Sequence, residues 1–551
     1  VSDIFLGTRG AGDAPVPPHL AHLAWAEPVG IPEDQLRVVR WVGSPGEGKT
    51  QAMGLTLEQC IARGWGGLVL DPKGELATNI CRRTRFHGHI IYVAPGLTPR
   101  RWALNFLELD RTHPRYDKIA PLVAANAVAM FEHTRRADLD ANTNIRTYLM
   151  AAVELSLRQP EPTLIDAALI LIHWGFRQRA LLQPGVTDED RTFWAEYEEY
   201  TAYMQQNQVA STVNRFWEFL RYHTVRAFIA PYRSTLKLVE WMNAGAVVVA
   251  DLRTRLPPRE GELLGNILMA GVVNAYGLRH SGLLDGDTGR PWFIAADEFH
   301  RLAPAPFAEL ITQGRYFRTY PFVAHQDDSQ LSETDKSIAA ALAHAPVDLS
   351  LYRSQEDLAK LERTSADKRM VAEVKKLRRF QAYLRRRTNE GTETMVIDLP
   401  ADDRTDSASQ WAMLMQRQDD PAQDSPGRIK YTYRPDEIPR LGTWLDGLPD
   451  AKPRGWDQKS AEERHRILSA TKKGDDHAEE TTADTAPPGA GEASQASGAD
   501  QSGPEPLGGG GVSLGDDPAG RGGDDGTAQL PLPLRGAGGA PLLRPRGRRG
   551  D

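Results

Sequence analysis

The chain has 551 residues, two of them cysteines, and a formal net charge of −7. Two cysteines exclude a disulfide scaffold, and no apolar stretch approaches the roughly 18 to 20 residues that a membrane-crossing helix needs. From Gly474 onward 13 acidic residues face 6 basic ones, so the tail carries the whole net charge and the rest is neutral. That excludes nucleic-acid binding through a bulk positive field and leaves only local basic patches.

Residues 1–36 are Pro-rich and are predicted to be an irregular lead-in. The run "RVVRWV" then has the character of a buried strand, and Gly43, Ser44, Pro45, Gly46, Glu47, Gly48, Lys49 and Thr50 follow it as "GSPGEGKT". This fits G-x-x-x-x-G-K-[ST] without a mismatch, and "TQAMGLTLEQCIARG" continues as a helix ending at Gly64. A strand that turns on glycines into a helix directs several backbone N–H groups at a phosphate. Lys49 is expected to neutralise phosphate charge, and the Thr50 hydroxyl to ligate Mg²⁺. Residues 43–50 are therefore the expected nucleotide-binding loop, with ATP and Mg²⁺ as cofactors.

Short strands are predicted at "GGLVLD" and "HIIYVAPG". From about His113 to Trp241 the pattern is helical throughout, with Ile145, Leu149, Val153 and Leu157 at four-residue spacing and a capping box at Thr163–Asp166. Phe193, Trp194, Tyr197, Tyr200 and Tyr203 are expected to stripe one helix as core packing. Strands return at "AGAVVVADL", "PWFIAADE", "YPFVAHQ" and "VDLSLYR", with helices between, and "FQAYLRR" with "TMVIDLP" is predicted to close as a hairpin. Beyond residue 474 the Gly/Ala/Pro/Asp-rich composition predicts disorder. The expected fold class is α/β, a RecA-like P-loop core split by an all-α insertion and followed by a disordered tail. The expected divisions are 1–36 lead-in, 37–112 first part of the ATPase domain, 113–241 insertion, 242–400 second part, 401–473 C-terminal extension and 474–551 tail.

Asp71, Asp251 and Asp297 each stand at a strand end. Only Asp297 is followed by a second carboxylate, Glu298, as an Mg²⁺-holding acid followed by a water-polarising one requires. Gln326, at the end of the next strand, is the expected γ-phosphate sensor. His87, His89 and Cys81 lack paired metal-ligand spacing and are expected to be structural.

"GSPGEGKT", "VLDPKGEL" one helix later, the helical insertion and "FIAADEFHRLAPAPFAELITQGRYFRTYPFVAHQDDSQL" together resemble the type IV coupling proteins of conjugation and secretion. These are TraG/TraD-like ATPases of the HerA/FtsK superfamily, and the resemblance spans roughly residues 35–400. It implies a homo-hexameric ring that moves DNA and delivers it to a type IV secretion or conjugation apparatus, with relaxosome-type proteins as partners. It implies Arg315 as the arginine offered to a neighbouring subunit's ATP, with Arg318 as the fallback, and a role for Asp71 and Lys73 in shaping the site or channel. Phe317 stands where many relatives carry Gly after the Arg-Tyr pair. Members usually have N-terminal transmembrane helices; this sequence starts at Val1 and shows none, so a soluble variant, a partner-recruited form or a fragment is expected. The expected location is the cytoplasm, including its face of the inner membrane.

The run "VKKLRRFQAYLRRR" supplies Lys375, Lys376, Arg378 and Arg379 as candidate DNA contacts, sequence-independent and salt-sensitive if they act so. The alternative is a solvated face balanced by nearby acids. Competing functions are a HerA-like repair translocase, a secretion ATPase, and a nucleotide-gated adaptor that recruits substrate. Glu298 argues against the adaptor, which has no need to polarise water.

Overall fold

The computed structural model describes residues 3–9, 27–33, 36–83, 90–97, 102–134, 143–281, 289–302, 310–311, 314, 318–326, 336–343, 345–365, 367–400, 408–419 and 448–469. These belong to one unit, Val1–Thr481; the tail expected to be disordered lies outside the described residues.

The strands are β1 (Ile4–Arg9), β2 (Glu27–Ile31), β3 (Val39–Val42), β4 (Gly66–Asp71), β5 (Ile90–Val93), β6 (Val247–Asp251), β7 (Trp292–Ala296), β8 (Thr319–His325), β9 (Val347–Leu351), β10 (Gln381–Thr388) and β11 (Gly391–Asp398). They form one sheet in the order β2-β1-β11-β10-β9-β3-β8-β7-β4-β6-β5. From β9 to β5 every neighbouring pair is parallel. Strands β3, β4, β5, β6, β7 and β9 are buried along their whole length, as parallel strands covered on both faces must be, which is why they appear in the sequence as unbroken apolar runs.

Two large cores flank the parallel part of this sheet, and alternate side chains of β4, β5, β6 and β7 enter opposite ones. Leu68, Leu70, Ile294 and Ala296 face the core shared with the insertion helices. Val69, Phe293 and Ala295 face the core that holds α1 (Lys49–Ala62) and α2 (Glu75–Arg83). A Cβ at Gly67 would come within 2.2 Å of the Phe293 ring, so the glycine at the start of β4 admits the bulky aromatic of β7.

Between β5 and β6 every described helix or strand is a helix: α3 (Tyr116–Thr134), α4 (Thr143–Leu157), α5 (Leu164–Ile172), α6 (Trp174–Leu181), α7 (Asp188–Glu199), α8 (Ala202–Leu220), α9 (His223–Ile229) and α10 (Leu238–Ala244). Ile145, Leu149, Val153 and Leu157 are all buried on α4, and Thr163 and Asp166 form the expected capping box of α5. The aromatic stripe is divided, however. Tyr200 is the extended C-cap of α7 and Thr201 the N-cap of α8, so Tyr203 sits on a different helix from Trp194 and Tyr197 and is 73% exposed. A final stretch returns to the insertion, with the Trp456 ring edge-on to Trp174 at 4.9 Å. A long helix, α11 (Pro258–His280), links β6 to β7.

The lead-in expected to be irregular contains β1 and β2. These pair antiparallel with each other, and β1 also pairs with β11. Ile4, Leu6, Val29 and Ile31 join the α1-side core, so burial against a sheet edge completed by residues far along the chain outweighs weak local propensity. The hairpin of β10 and β11 forms as expected, closing at Thr388 and Gly391. Among the described residues no helix is long and apolar enough to cross a membrane.

Candidate nucleotide-binding and hydrolysis site

Strand β3 ends at Val42 and α1 begins at Lys49, so residues 43–48 are the connecting loop. Gly46 and Gly48 hold φ of 80° and 92°, the left-handed region open to glycine without steric cost. Gly48 is the N-cap of α1, and no side chain caps that end. The unpaired N–H groups of the first turn are thereby left pointing out of the loop. Lys49 folds back over it, donating from Nζ to the Gly43 carbonyl at 2.6 Å and the Ser44 carbonyl at 2.9 Å. Burial pushes its ammonium pKa down, opposed by the charges of Asp297 and Glu298.

The three strand-end aspartates are put to different uses. Asp71 accepts from the backbone N–H groups of Lys73 and Ala77 and so caps α2. Burial and the nearby Asp297 charge raise its carboxyl to about 6. Asp251 accepts from Tyr92, Thr254 and the Arg253 backbone, tying off the turn after β6. Asp297 instead turns toward the loop and accepts from the Thr50 hydroxyl at 2.8 Å. Its pKa is raised by burial, against the Thr50 hydrogen bond and with a further rise from Glu298. Sheet order explains this geometry: β8 lies between β3 and β7, so the ends of three parallel strands present the loop, the acid pair and Gln326 side by side.

Glu298 is 3% exposed and has φ of 49°, a left-handed conformation rare for a side-chain-bearing residue. Such backbone costs on the order of 1–3 kcal/mol and persists where surrounding structure enforces it. Its carboxylate accepts from Gln326 Nε2 at 2.9 Å and is ion-paired with Lys73, while His300 Nδ1 lies 3.6 Å away. Burial pushes the carboxyl pKa up, but the hydrogen bonds from Lys73 and Gln326 and the Lys73 charge outweigh it and hold the pKa below the usual value. Burial lowers the pKa of His300. Lys73 is in turn placed by Arg253, which donates to its carbonyl at 2.9 Å.

Arg315 lies outside the described residues. Arg318 has φ of 52° and donates to the Gly289 carbonyl at 2.8 Å. In the basic run, Lys375 pairs with Glu362 and Lys376 with Glu373, and the Arg378 backbone N–H donates to Gln381. Arg379 reaches the phosphate-binding loop, donating to the Gly46 carbonyl at 3.3 Å, 3.8 Å from the Glu47 carboxylate. Ser44 is fastened from the same side. It donates to Asp357, and the Ser354 backbone N–H donates to its hydroxyl at 2.9 Å. Sequence reasoning missed these clamps, and it left Lys73 without a partner. No local pattern announces contacts between residues more than 200 positions apart.

No protein-family model matches the chain, and no curated protein matches it in sequence. Solved structures do match. The unbound monoclinic form of the bacterial conjugative coupling protein TrwB superposes with a TM-score of 0.50 at 16% identity, covering 69% of this chain and 89% of that one. TrwB in complex with ADP and Mg²⁺ gives the same figures. Its trigonal form with sulphate covers 69% of this chain and 90% of that one at the same score and identity. At this identity the likeness shows the fold: the chain has the α/β architecture of these P-loop proteins.

Proposed function

We propose that this chain is an ATP-hydrolysing motor of the type IV coupling kind, which moves DNA or nucleoprotein into a secretion or conjugation machine. The observation that carries the enzymatic part is that the acid pair after β7 meets Thr50 of α1 through Asp297 and Gln326 after β8 through Glu298. The fold shared with TrwB, a conjugative coupling protein, supports the motor part. In this reading residues 37–112 and 242–400 form the ATPase domain and 113–241 its insertion. Subunits assemble as a homo-hexamer at the cytoplasmic face of the membrane, with Arg315 reaching a neighbour's nucleotide and Lys375, Lys376 and Arg378 near DNA.

The residues fit the expected cofactor. Mg²⁺ keeps several waters and takes only one or two protein oxygens, and Thr50 Oγ1 and the Asp297 carboxylate, 2.8 Å apart, supply such a pair. Bound MgATP supplies a scissile γ-phosphoryl with its charge partly neutralised. The loop N–H groups and Lys49 would hold the phosphates, and Thr50 and Asp297 would hold the ion. Glu298, kept ionised by Lys73 and Gln326, takes up proton density from the attacking water. Gln326, bonded to that same carboxylate, reports on what stands beside it.

Measuring hydrolysis by the purified full chain with and without DNA at two salt concentrations tests the proposal. The expected result is stimulation by DNA that salt removes; hydrolysis indifferent to DNA would sink the motor reading. A second expected outcome concerns Lys73→Met. Removing the Lys73 hydrogen bond and charge leaves burial's upward push opposed mainly by Gln326, so the acid limb of the hydrolysis–pH profile moves to higher pH, and Lys73→Arg restores it. An unmoved limb would mean that Lys73 does not set the ionisation of Glu298.

A further inference from the structure

We propose that Phe380, held against the phosphate-binding loop by Arg379, is the platform on which the nucleobase of the bound nucleotide stacks. This rests on the reading of residues 43–50 as a phosphate site and adds the part of the ligand that the loop does not reach. Phosphates held at the N-terminus of α1 leave the sugar and base to lie at the lip of the loop. The structure places an aromatic ring there. A Cβ on Gly48 would come within 3.2 Å of the Phe380 ring, so the ring rests directly on the backbone at the exit of the loop. Leu399 lies beside it, 3.6 Å from the same point, and its N–H donates to the Phe380 carbonyl at 2.9 Å.

Three features separate this ring from an ordinary packing residue. Phe380 is 46% exposed in a chain whose other described phenylalanines are buried or half-buried. Its φ of 63° is a conformation that bulky side chains rarely adopt, and such outliers cluster where ligands are held. The Arg379 guanidinium lies over the ring, 5.2 Å from its centroid, while also donating to the Gly46 carbonyl. That side chain is 67% exposed, so it has room to move off the ring and lie beside the base. An aromatic face with an adjacent guanidinium plane suits a flat π-system, which each stacks on well. The contact connects a segment following the last parallel strand to a loop more than 300 residues earlier.

Phe380→Gly provides the test, because glycine accepts the observed φ and the variant loses the ring without straining the backbone. Binding of ADP and of inorganic tripolyphosphate, which has no base, is measured by calorimetry on the full-length wild type, Phe380→Gly and Phe380→Tyr. The expected result is ADP affinity about 10-fold weaker in the glycine variant, the scale of one lost base–aromatic stack. Tripolyphosphate affinity should not change, and the tyrosine variant should match wild type. Equal ADP affinity in wild type and Phe380→Gly overturns the proposal, and so does an equal loss for both ligands, which makes the ring a prop for the loop. If wild type binds neither ligand, the phosphate-site reading falls with it; tripolyphosphate binding by wild type keeps the two failures distinct.

Discussion

Glu298→Gln is expected to lower ATP hydrolysis by about 10²–10⁴-fold, the range for removing a positioned general base, while leaving nucleotide affinity at the wild-type level. The amide keeps an oxygen that can accept from Lys73 and Gln326, the two donors that reach the carboxylate. Local shape therefore survives, and only the capacity to take a proton is lost. Lys49→Ala is expected to fail at the earlier step. Its ammonium lies over the loop, bonded to two carbonyls, where it meets the phosphates, so this variant loses binding and hydrolysis together. Calorimetric affinity and single-turnover rates measured on both variants separate the two effects. A Glu298→Gln rate close to wild type would remove Glu298 from the chemistry.

The second large effect concerns the scaffold. Asp348→Ala is expected to destabilise the fold by about 3–5 kcal/mol, the scale for breaking a buried ion pair from one side. Arg40 stands on β3, the strand that delivers the phosphate-binding loop, and meets Asp348 on β9 through Nε at 3.1 Å and a second nitrogen at 2.7 Å. Their side chains are 8% and 4% exposed. Arg385 on β10 reaches the same carboxylate at 3.1 Å, so one acid binds three adjacent strands. Truncation leaves the Arg40 guanidinium buried without this carboxylate. Replacing both partners with apolar residues, Arg40→Met with Asp348→Leu, is expected to recover most of the loss, because neither charge then has to be desolvated. Denaturant midpoints of the two variants decide the matter: an unchanged midpoint for Asp348→Ala would show that the triad contributes nothing net.

The parallel half of the sheet was legible because strands covered on both faces leave unbroken apolar runs such as "GLVL" and "AVVVA", and because glycine spacing exposes the loop at residues 43–50. Choosing Asp297 over Asp71 and Asp251 needed only the adjacent Glu298, and the structure accounts for the other two as caps of local turns. The two N-terminal strands, β1 and β2, were not legible. "EPVGI" carries Pro28 and Gly30 and becomes a strand because β1, itself paired with β11, supplies its partner. The helix break at Tyr200–Thr201 was hidden by an aromatic pattern that runs across it. The basic run around Arg379 presented itself as charge, and only the fold shows that one of its members belongs to the loop. Lys73 is the same kind of case: its partner Glu298 is 225 residues away in sequence.

The order of strands in the sheet also governs how this chain must be born. Val39 on β3 pairs with Phe322 on one side and Val347 on the other, so the apolar strand ahead of the loop leaves the ribosome without either neighbour. At roughly 5–20 residues per second, it waits on the order of tens of seconds for them. During that interval the insertion helices, whose contacts are closer along the chain, can consolidate first. The nascent "VVRWV" segment is the place where a chaperone has most to protect.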